Sequence, residues 1–417
     1  MTLAQIISLV ILIVVAVLSF KNRTDIFSPA KVFLAVWSFC IFLAEFKFSD
    51  YQHQWSTYSW IVFILGLLAF LLGIFITYTI FANKPLYNIN IIRAKIRNVK
   101  TEIIKKLFYA NVILFLLYIA SYTIEVIVEG FIPIFSARPD IARVEFGLFG
   151  FHLLVNLQIA VMFLNIEYII LSKGKSIHKI IIWGVFFITF ITFTLLLQRF
   201  NFFFWGLITL ALLYYASRVL KIRNVVIIIL IFFGSLWFIK SIRVSTYVTE
   251  YHYVISKMKY SKEYAAFTEP YMYISMNLEN MTRAVDQLQS YTYSVQSIDW
   301  IYALFGLKHW MADYFHINNK KFLNSGYNTF PFHWYYYWDF GLIGVTLLPL
   351  LMGLSIGICY YKMRYTAQLK WIVLYSISFG LIAISFFTNP LIMLNFIANI
   401  FVLWFIHHFF INAEQLE

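Results

Sequence analysis

Four arginines, Arg138, Arg143, Arg199 and Arg243, fall on one side of the chain once its charges are sorted. A guanidinium is a planar fork of donors that matches phosphate geometry, so a phosphate-bearing ligand is the chemistry they suit. Arg199 is the most constrained. It lies in TLLLQRFNFFFW, in a turn of about four residues between two strongly apolar runs. A guanidinium left unpaired against hydrocarbon is costly. Two readings fit it: an arginine that grips a phospholipid-like ligand, or one that snorkels to ordinary headgroups. Arg243, after the apolar run ending at Ile242, carries the same two readings. Arg138 and Arg143 stand around Pro139 and Asp140, where Asp140 and Glu145 can pair with them.

The residues that could move a proton gather further on, in NSGYNTFPFHWYYYWDFGLIG, from Asn324 to Gly344. Trp and Tyr collect where a membrane meets water, so this stretch reads as an external loop returning to a bilayer. His333 is the candidate base, because a neutral imidazole accepts a proton near neutral pH. Packing among Trp334 to Tyr337 is its bland alternative, as surface positions are for His309 and His316. Asp339 opens an apolar helix, where a carboxylate can cap orphan N–H groups or orient a base. No HExxH, paired CxxC or GxxxxGK motif occurs. Cys40 and Cys359 lie inside apolar segments and imply neither disulfide nor metal. No metal and no cofactor is expected.

The elements that must position these residues are membrane helices. The chain is 62% hydrophobic and 12% charged, with mean hydropathy +0.78, where a soluble domain carries about 25% charged residues. Apolar runs at 2–20, 30–46, 58–82, 107–127, 147–171, 179–197, 201–217, 224–241, 339–361, 371–388 and 391–410 predict about 11 transmembrane helices. The first run has no basic residue before it and reads as a retained helix with its N-terminus outside. That choice puts connections 21–31, 83–106, 172–179, 218–223 and 362–370 in the cytoplasm, with 19 of the 32 Lys and Arg and only Asp25 and Glu102 opposing them. Basic residues concentrate inside, as expected of the orientation, so the +13 net charge does not call for nucleic acid. The fold class is therefore an all-α polytopic integral membrane protein, its C-terminus in the cytoplasm. Its segments are 1–241 (eight helices), 242–338 (one large external helical loop) and 339–417 (three helices). Within 83–106, apolar residues from Ile92 to Leu107 recur at helical spacing among basic ones. That suits a helix on an anionic inner leaflet, or a basic loop that only fixes topology.

In order and topology these features resemble the oligosaccharide repeat-unit polymerases, the Wzy-type O-antigen and capsule polymerases. The shared features are IPIFSARPD (Ile132 to Asp140), the arginine at Gln198-Arg199, Arg243 after the next span, YMYISMNLEN (Tyr271 to Asn280) and WYYYWDFGLIG (Trp334 to Gly344). Some polymerases carry glycine eleven residues after an arginine; here Phe149 follows Arg138 and Val254 follows Arg243 at that distance. The resemblance implies a metal-independent integral-membrane glycosyltransferase of the bacterial plasma membrane, its active site facing the periplasm or exterior. It would move a growing glycan from undecaprenyl pyrophosphate onto a lipid-linked repeat unit. Arg138, Arg143, Arg199 and Arg243 would hold the pyrophosphate, His333 and Asp339 would act in catalysis, and Asn277, Asn328 and Tyr335 would contact glycan. Membrane lipid, a flippase and a chain-length regulator are the partners it implies.

Three rivals share parts of the pattern: an O-antigen ligase, a lipid-linked oligosaccharide flippase and a structural assembly protein. A transporter should show two related halves with charges at mid-membrane, whereas this chain has no repeat and groups its ionisable residues at one surface.

Overall fold

The structure, a computed structural model, describes residues 1–20, 25–173, 176–217, 247–315, 322–323 and 327–411. Among them no β-strand forms, and one isolated antiparallel bridge joins Ser49 to Met258. The first ten helices are α1 (Leu3–Phe20), α2 (Pro29–Ala44), α3 (Thr57–Phe81), α4 (Ile89–Arg97), α5 (Thr101–Glu129), α6 (Pro139–Glu145), α7 (Phe151–Val155), α8 (Gln158–Leu171), α9 (Ile177–Leu195) and α10 (Arg199–Ala216). After them come α11 (Tyr247–Ile255), α12 (Thr268–Gln287), α13 (Asp299–Leu304), α14 (Lys308–Tyr314), α15 (Trp334–Thr366), α16 (Leu369–Ile384) and α17 (Leu394–Phe405).

Among the described residues, six helical segments are long and apolar enough to cross a membrane: α3, α5, the α7–α8 pair, α9, α10 and α15. Four shorter apolar helices, α1, α2, α16 and α17, accompany them. The apolar run 224–241 and Arg243 lie outside the described residues. Exposure supports the same class. Ile177, Ile180, Ile181, Phe187, Ile188 and Ile191 of α9 are all exposed. So large an apolar face is an aggregation hazard in water but the ordinary outside of a helix in lipid. This is the architecture of a helical membrane protein.

The chain gathers into two compact units, neither of them continuous in sequence. Unit 1 takes Met1–Lys84, Thr246–Tyr361 and Leu381–Leu394; unit 2 takes Pro85–Ser245, Lys362–Gly380 and Asn395–Glu417.

In unit 1, α2 packs on α1 and on α12, and α12 also meets α3. Helices α3 and α15 cross in backbone contact. A methyl group on Gly73 would overlap the Leu350 carbonyl, and one on Gly353 would overlap that of Phe70. Small residues let helices approach this way in lipid, where dispersion and close packing replace the hydrophobic effect. Helix α15 starts at Trp334, whose N–H bonds Pro331 O at 3.1 Å, five residues ahead of the expected span. It breaks at Gly341, whose φ of 60° suits glycine.

Unit 2 is built around α8. About 72% of the α7–α8 span is buried, against 22% of α9, and Ile159 to Leu164 are fully enclosed. Two pairs of polar side chains meet inside it. Asn111 Nδ2 donates to Asn165 Oδ1 at 3.0 Å, and His407 Nε2 meets Glu167 Oε1 at 2.8 Å. The basic segment 83–106 forms two helices rather than one continuous stripe. Asn88 caps α4 by accepting from Asn90 N. Ile92 and Ile96 are buried in protein. Arg93 donates from Nε and Nη2 to Tyr214 O at 2.8 and 2.7 Å, satisfying a carbonyl in the last turn of α10.

Candidate functional site

The candidate residues divide by unit. His333, Asp339, Asn277, Asn328 and Tyr335 belong to unit 1, and Arg138, Arg143 and Arg199 to unit 2.

In unit 1 the polar residues of α12 hold neighbouring backbone. Glu279, 2% exposed, accepts from His53 N at 2.8 Å and Trp55 Nε1 at 2.9 Å. Lys47 Nζ lies 3.6 Å from the same carboxylate and 4.4 Å from the Trp55 ring centroid. Asn280 Nδ2 donates to Tyr327 O and Thr329 O at 3.1 and 3.2 Å. Asn277 accepts from Thr329 Oγ1 and donates to Tyr273 O. The 327–329 segment is thereby stapled to α12; Asn328 is exposed and Tyr335 half-buried.

His333 is wholly enclosed, with ring centroids of Phe332, Phe63 and Trp37 at 5.0, 5.3 and 5.5 Å. Among the described residues neither ring nitrogen has a hydrogen-bond partner. Burial pushes its pKa down to about 3, because the low-dielectric surroundings disfavour the cation. A pH dependence of stability follows. Between pH 6.5 and about 3 the unfolded chain binds a proton that the folded chain refuses, so stability falls as the pH drops through that window. From pH 6.5 to 5 the loss is about 2 kcal/mol. His333→Phe should therefore lose less melting temperature between pH 7.5 and pH 5 than the unmodified protein. Equal losses would acquit His333.

Asp339, also fully buried, works on a loop rather than on its own helix, which already runs from Trp334. Its Oδ1 accepts from Thr292 Oγ1 at 2.5 Å and Gln296 N at 3.0 Å, and Oδ2 accepts from Ser297 N at 2.6 Å. Thr292 N and Tyr293 N bond the carbonyls of Trp338 and Asp339 at 3.1 and 3.3 Å. Tyr293 and Ser294 take φ of 45° and 82°, an uncommon conformation for side-chain-bearing residues that the surrounding bonds must hold.

In unit 2, Arg199 is the first residue of α10 and follows a turn with a buried floor. Leu196 and Leu197 are 1% and 0% exposed, and Leu197 adopts φ 56°. Under the turn lies a cluster of carboxamides. Gln198 Oε1 accepts from Asn201 Nδ2 at 2.6 Å and from Gln158 Nε2 at 2.9 Å. Asn201 Nδ2 also reaches Asn156 Oδ1 at 3.1 Å. Asn399 Nδ2 donates to Asn156 O at 2.8 Å while its Oδ1 accepts from Ala160 N at 2.9 Å. The last bond explains why the α7–α8 break can be buried. Ala160 N is an orphan donor of a helix start, and Asn399 satisfies it. In the sequence these residues show only as amide side chains standing inside apolar runs.

Arg138 is exposed and precedes α6, while Arg143 is half-buried within it. The segment after them is held by Glu125, fully buried on α5, which accepts from Leu148 N at 3.1 Å and meets His152 Nδ1 at 3.2 Å. Among the described residues no group of three or more His, Cys, Asp or Glu gathers to hold a metal ion. No family model, no curated protein and no solved structure matches the chain.

Proposed function

We propose that this protein is a repeat-unit polymerase that transfers a growing glycan from undecaprenyl pyrophosphate to a lipid-linked repeat unit, on the outer face of a bacterial plasma membrane. The observation that carries this reading is Arg199, a guanidinium at the head of an apolar helix, behind a buried turn braced by Gln198, Asn201 and Gln158. A guanidinium at that place suits a lipid-borne phosphate group, whose geometry its planar fork of donors matches. The topology in this reading is eleven spans, with the N-terminus and the 242–338 segment outside and the C-terminus in the cytoplasm.

In the reaction the acceptor hydroxyl forms a C–O bond at the donor's anomeric carbon as the bond to the pyrophosphate oxygen breaks. The hydroxyl proton passes to a base, and lipid pyrophosphate leaves as an anion neutralised by Arg199, with Arg138, Arg143 and Arg243 sharing the charge. His333 is the base in this reading, and its ring cage sets a condition: a base must come within hydrogen-bond reach of the hydroxyl, so Trp37 or Phe63 must yield. Asp339 positions the 292–297 loop, and Asn328 and Tyr335 meet glycan.

Deletion of the gene is the test. Surface glycan should shorten to single repeats on a gel and recover on complementation. An unchanged length distribution would end the proposal, and accumulation of lipid-linked polymer that never reaches its final acceptor would point to a ligase instead.

A further inference from the structure

We infer that the turn joining α15 to α16, in unit 2, binds the phosphate of an anionic phospholipid between Lys362 and Lys370. Both ammonium groups stand against one indole. Lys362 Nζ lies 4.6 Å from the Trp371 ring centroid and Lys370 Nζ 5.5 Å from it. Two like charges gathered at one ring repel each other, and a ring face neutralises neither. Among the described residues neither lysine forms an ion pair or a hydrogen bond through its ammonium group. The sequence around them is of one sign as well. Connections 83–106, 172–179, 218–223 and 362–370 contain a single acid, Glu102.

The turn is built to hold that spacing. Helix α15 ends at Thr366 and α16 begins at Leu369, so only Ala367 and Gln368 link them. Ala367 N donates to Met363 O at 2.9 Å, and Thr366 Oγ1 donates to Lys362 O at 2.8 Å. Ala367 takes φ 54°, and it and Leu369 are buried. The two lysines are therefore brought together by the backbone before any ligand arrives, which lowers the ordering cost of binding.

The chemistry of the ligand follows from the place and the groups. A turn between two apolar helices sits beside the headgroup layer, where Trp371, half-buried at the start of α16, also belongs. Lys362 and Lys370 are half-buried too, their stems along the protein and their heads able to reach that layer. Each head is a compact charge with three rotatable donors, which suits a phosphate oxygen approached from either side. More charge is held at the same end. Arg364 Nε donates to Tyr87 O, and Tyr87 N to Arg364 O, both at 2.7 Å. Lys95 Nζ stands 3.8 Å from the Tyr87 ring centroid. Basic pockets at helix ends select acidic headgroups in this way.

The experiment titrates the purified full chain in detergent with phosphatidylglycerol, phosphatidylcholine or inorganic phosphate, and counts bound ligand by native mass spectrometry. Phosphatidylglycerol should bind in preference to phosphatidylcholine. Lys362→Gln and Lys370→Gln should each weaken it about fivefold, the effect of one lysine beside an anionic headgroup. The doubly substituted Lys362→Arg, Lys370→Arg protein keeps both charges and should keep the preference, which a merely structural role for the lysines does not require. The same loss of charge at Lys259 and Lys262 in unit 1 should leave the affinity unchanged. Equal affinity for the two lipids would reduce the lysines to ordinary snorkelling and overturn the site. So would unchanged affinity in both glutamine variants, or inorganic phosphate binding as tightly as the lipid. A preference that emerges only after Glu414→Gln and Glu417→Gln would give the lysines to acids of this chain instead. Glycan length in the deletion strain has no bearing on any of these outcomes.

Discussion

Arg199→Ala is expected to reduce surface glycan to single repeats while the protein still accumulates in the membrane. A charge-assisted contact to a developing anion is worth about 2.7–4 kcal/mol, or about 10²–10³ in rate. Polymer growth needs many consecutive transfers, so a loss of that size in each step should empty the ladder. Arg199→Lys should do nearly the same harm, because an ammonium cannot reproduce the two-pronged fork. The controls lie in the turn itself. Arg199 N bonds Leu197 O at 3.1 Å through the backbone, and Gln198 supplies the side-chain acceptor to the amide cluster, so the alanine variant keeps both. Full-length glycan from stably expressed Arg199→Ala would remove this residue from the site.

The membrane class of the fold was legible because lipid imposes it. A bilayer requires runs of about 20 apolar residues with their backbone bonds satisfied internally, and run length survives any averaging. Breaks inside runs do not survive it. Asn156 and Leu157 interrupt a stretch that hydropathy joins, and the interruption is stable because Asn399, distant in sequence, caps Ala160 N. The start of α15 was hidden for a different reason. Trp334 to Trp338 read as an interfacial belt, yet Trp334, Tyr336, Tyr337 and Trp338 are buried on a helix that has already begun. Helical spacing from Ile92 to Leu107 suggested one stripe; Asn98 and Val99 break it, and Ile92, Ile96, Ile103 and Leu107 are buried all the same.

Candidate side chains were legible as types more than as roles. Arg199 was conspicuous because a four-residue turn between apolar runs leaves a cation few places to go. The partners that fix its turn were not, since Gln158, Asn201 and Asn399 are single polar letters scattered over three apolar segments. Asn277 was singled out as a glycan contact, and its side chain is engaged with Thr329 and Tyr273. A polar residue in a membrane protein can be satisfied by a ligand, by backbone or by another side chain, and sequence shows only that it needs a partner.

Asp339 makes the same point with the larger structural effect. Read as a helix cap, it should tolerate asparagine, since an amide oxygen caps nearly as well as a carboxylate. The geometry predicts otherwise. Both carboxylate oxygens accept, Oδ1 from Thr292 Oγ1 and Gln296 N, Oδ2 from Ser297 N at 2.6 Å. In Asp339→Asn one of those oxygens becomes an NH₂ group that must face a donor, so a bond is lost and a repulsion takes its place. Bonds to a charged group contribute about 1.5–3 kcal/mol each, and a buried donor left without a partner adds its own desolvation cost. Asp339→Asn and Asp339→Ala should therefore both destabilise unit 1 by on the order of 3 kcal/mol or more, with asparagine giving little relief over alanine. Thermal melting of the purified variants measures the stability, and limited proteolysis with mapping of cleavage sites locates the damage. Cleavage should concentrate in 290–298, where Tyr293 and Ser294 would be released from positive φ. A variant Asp339→Asn that melts with the unmodified protein and keeps this loop protected would show that the carboxylate's charge is not what holds it.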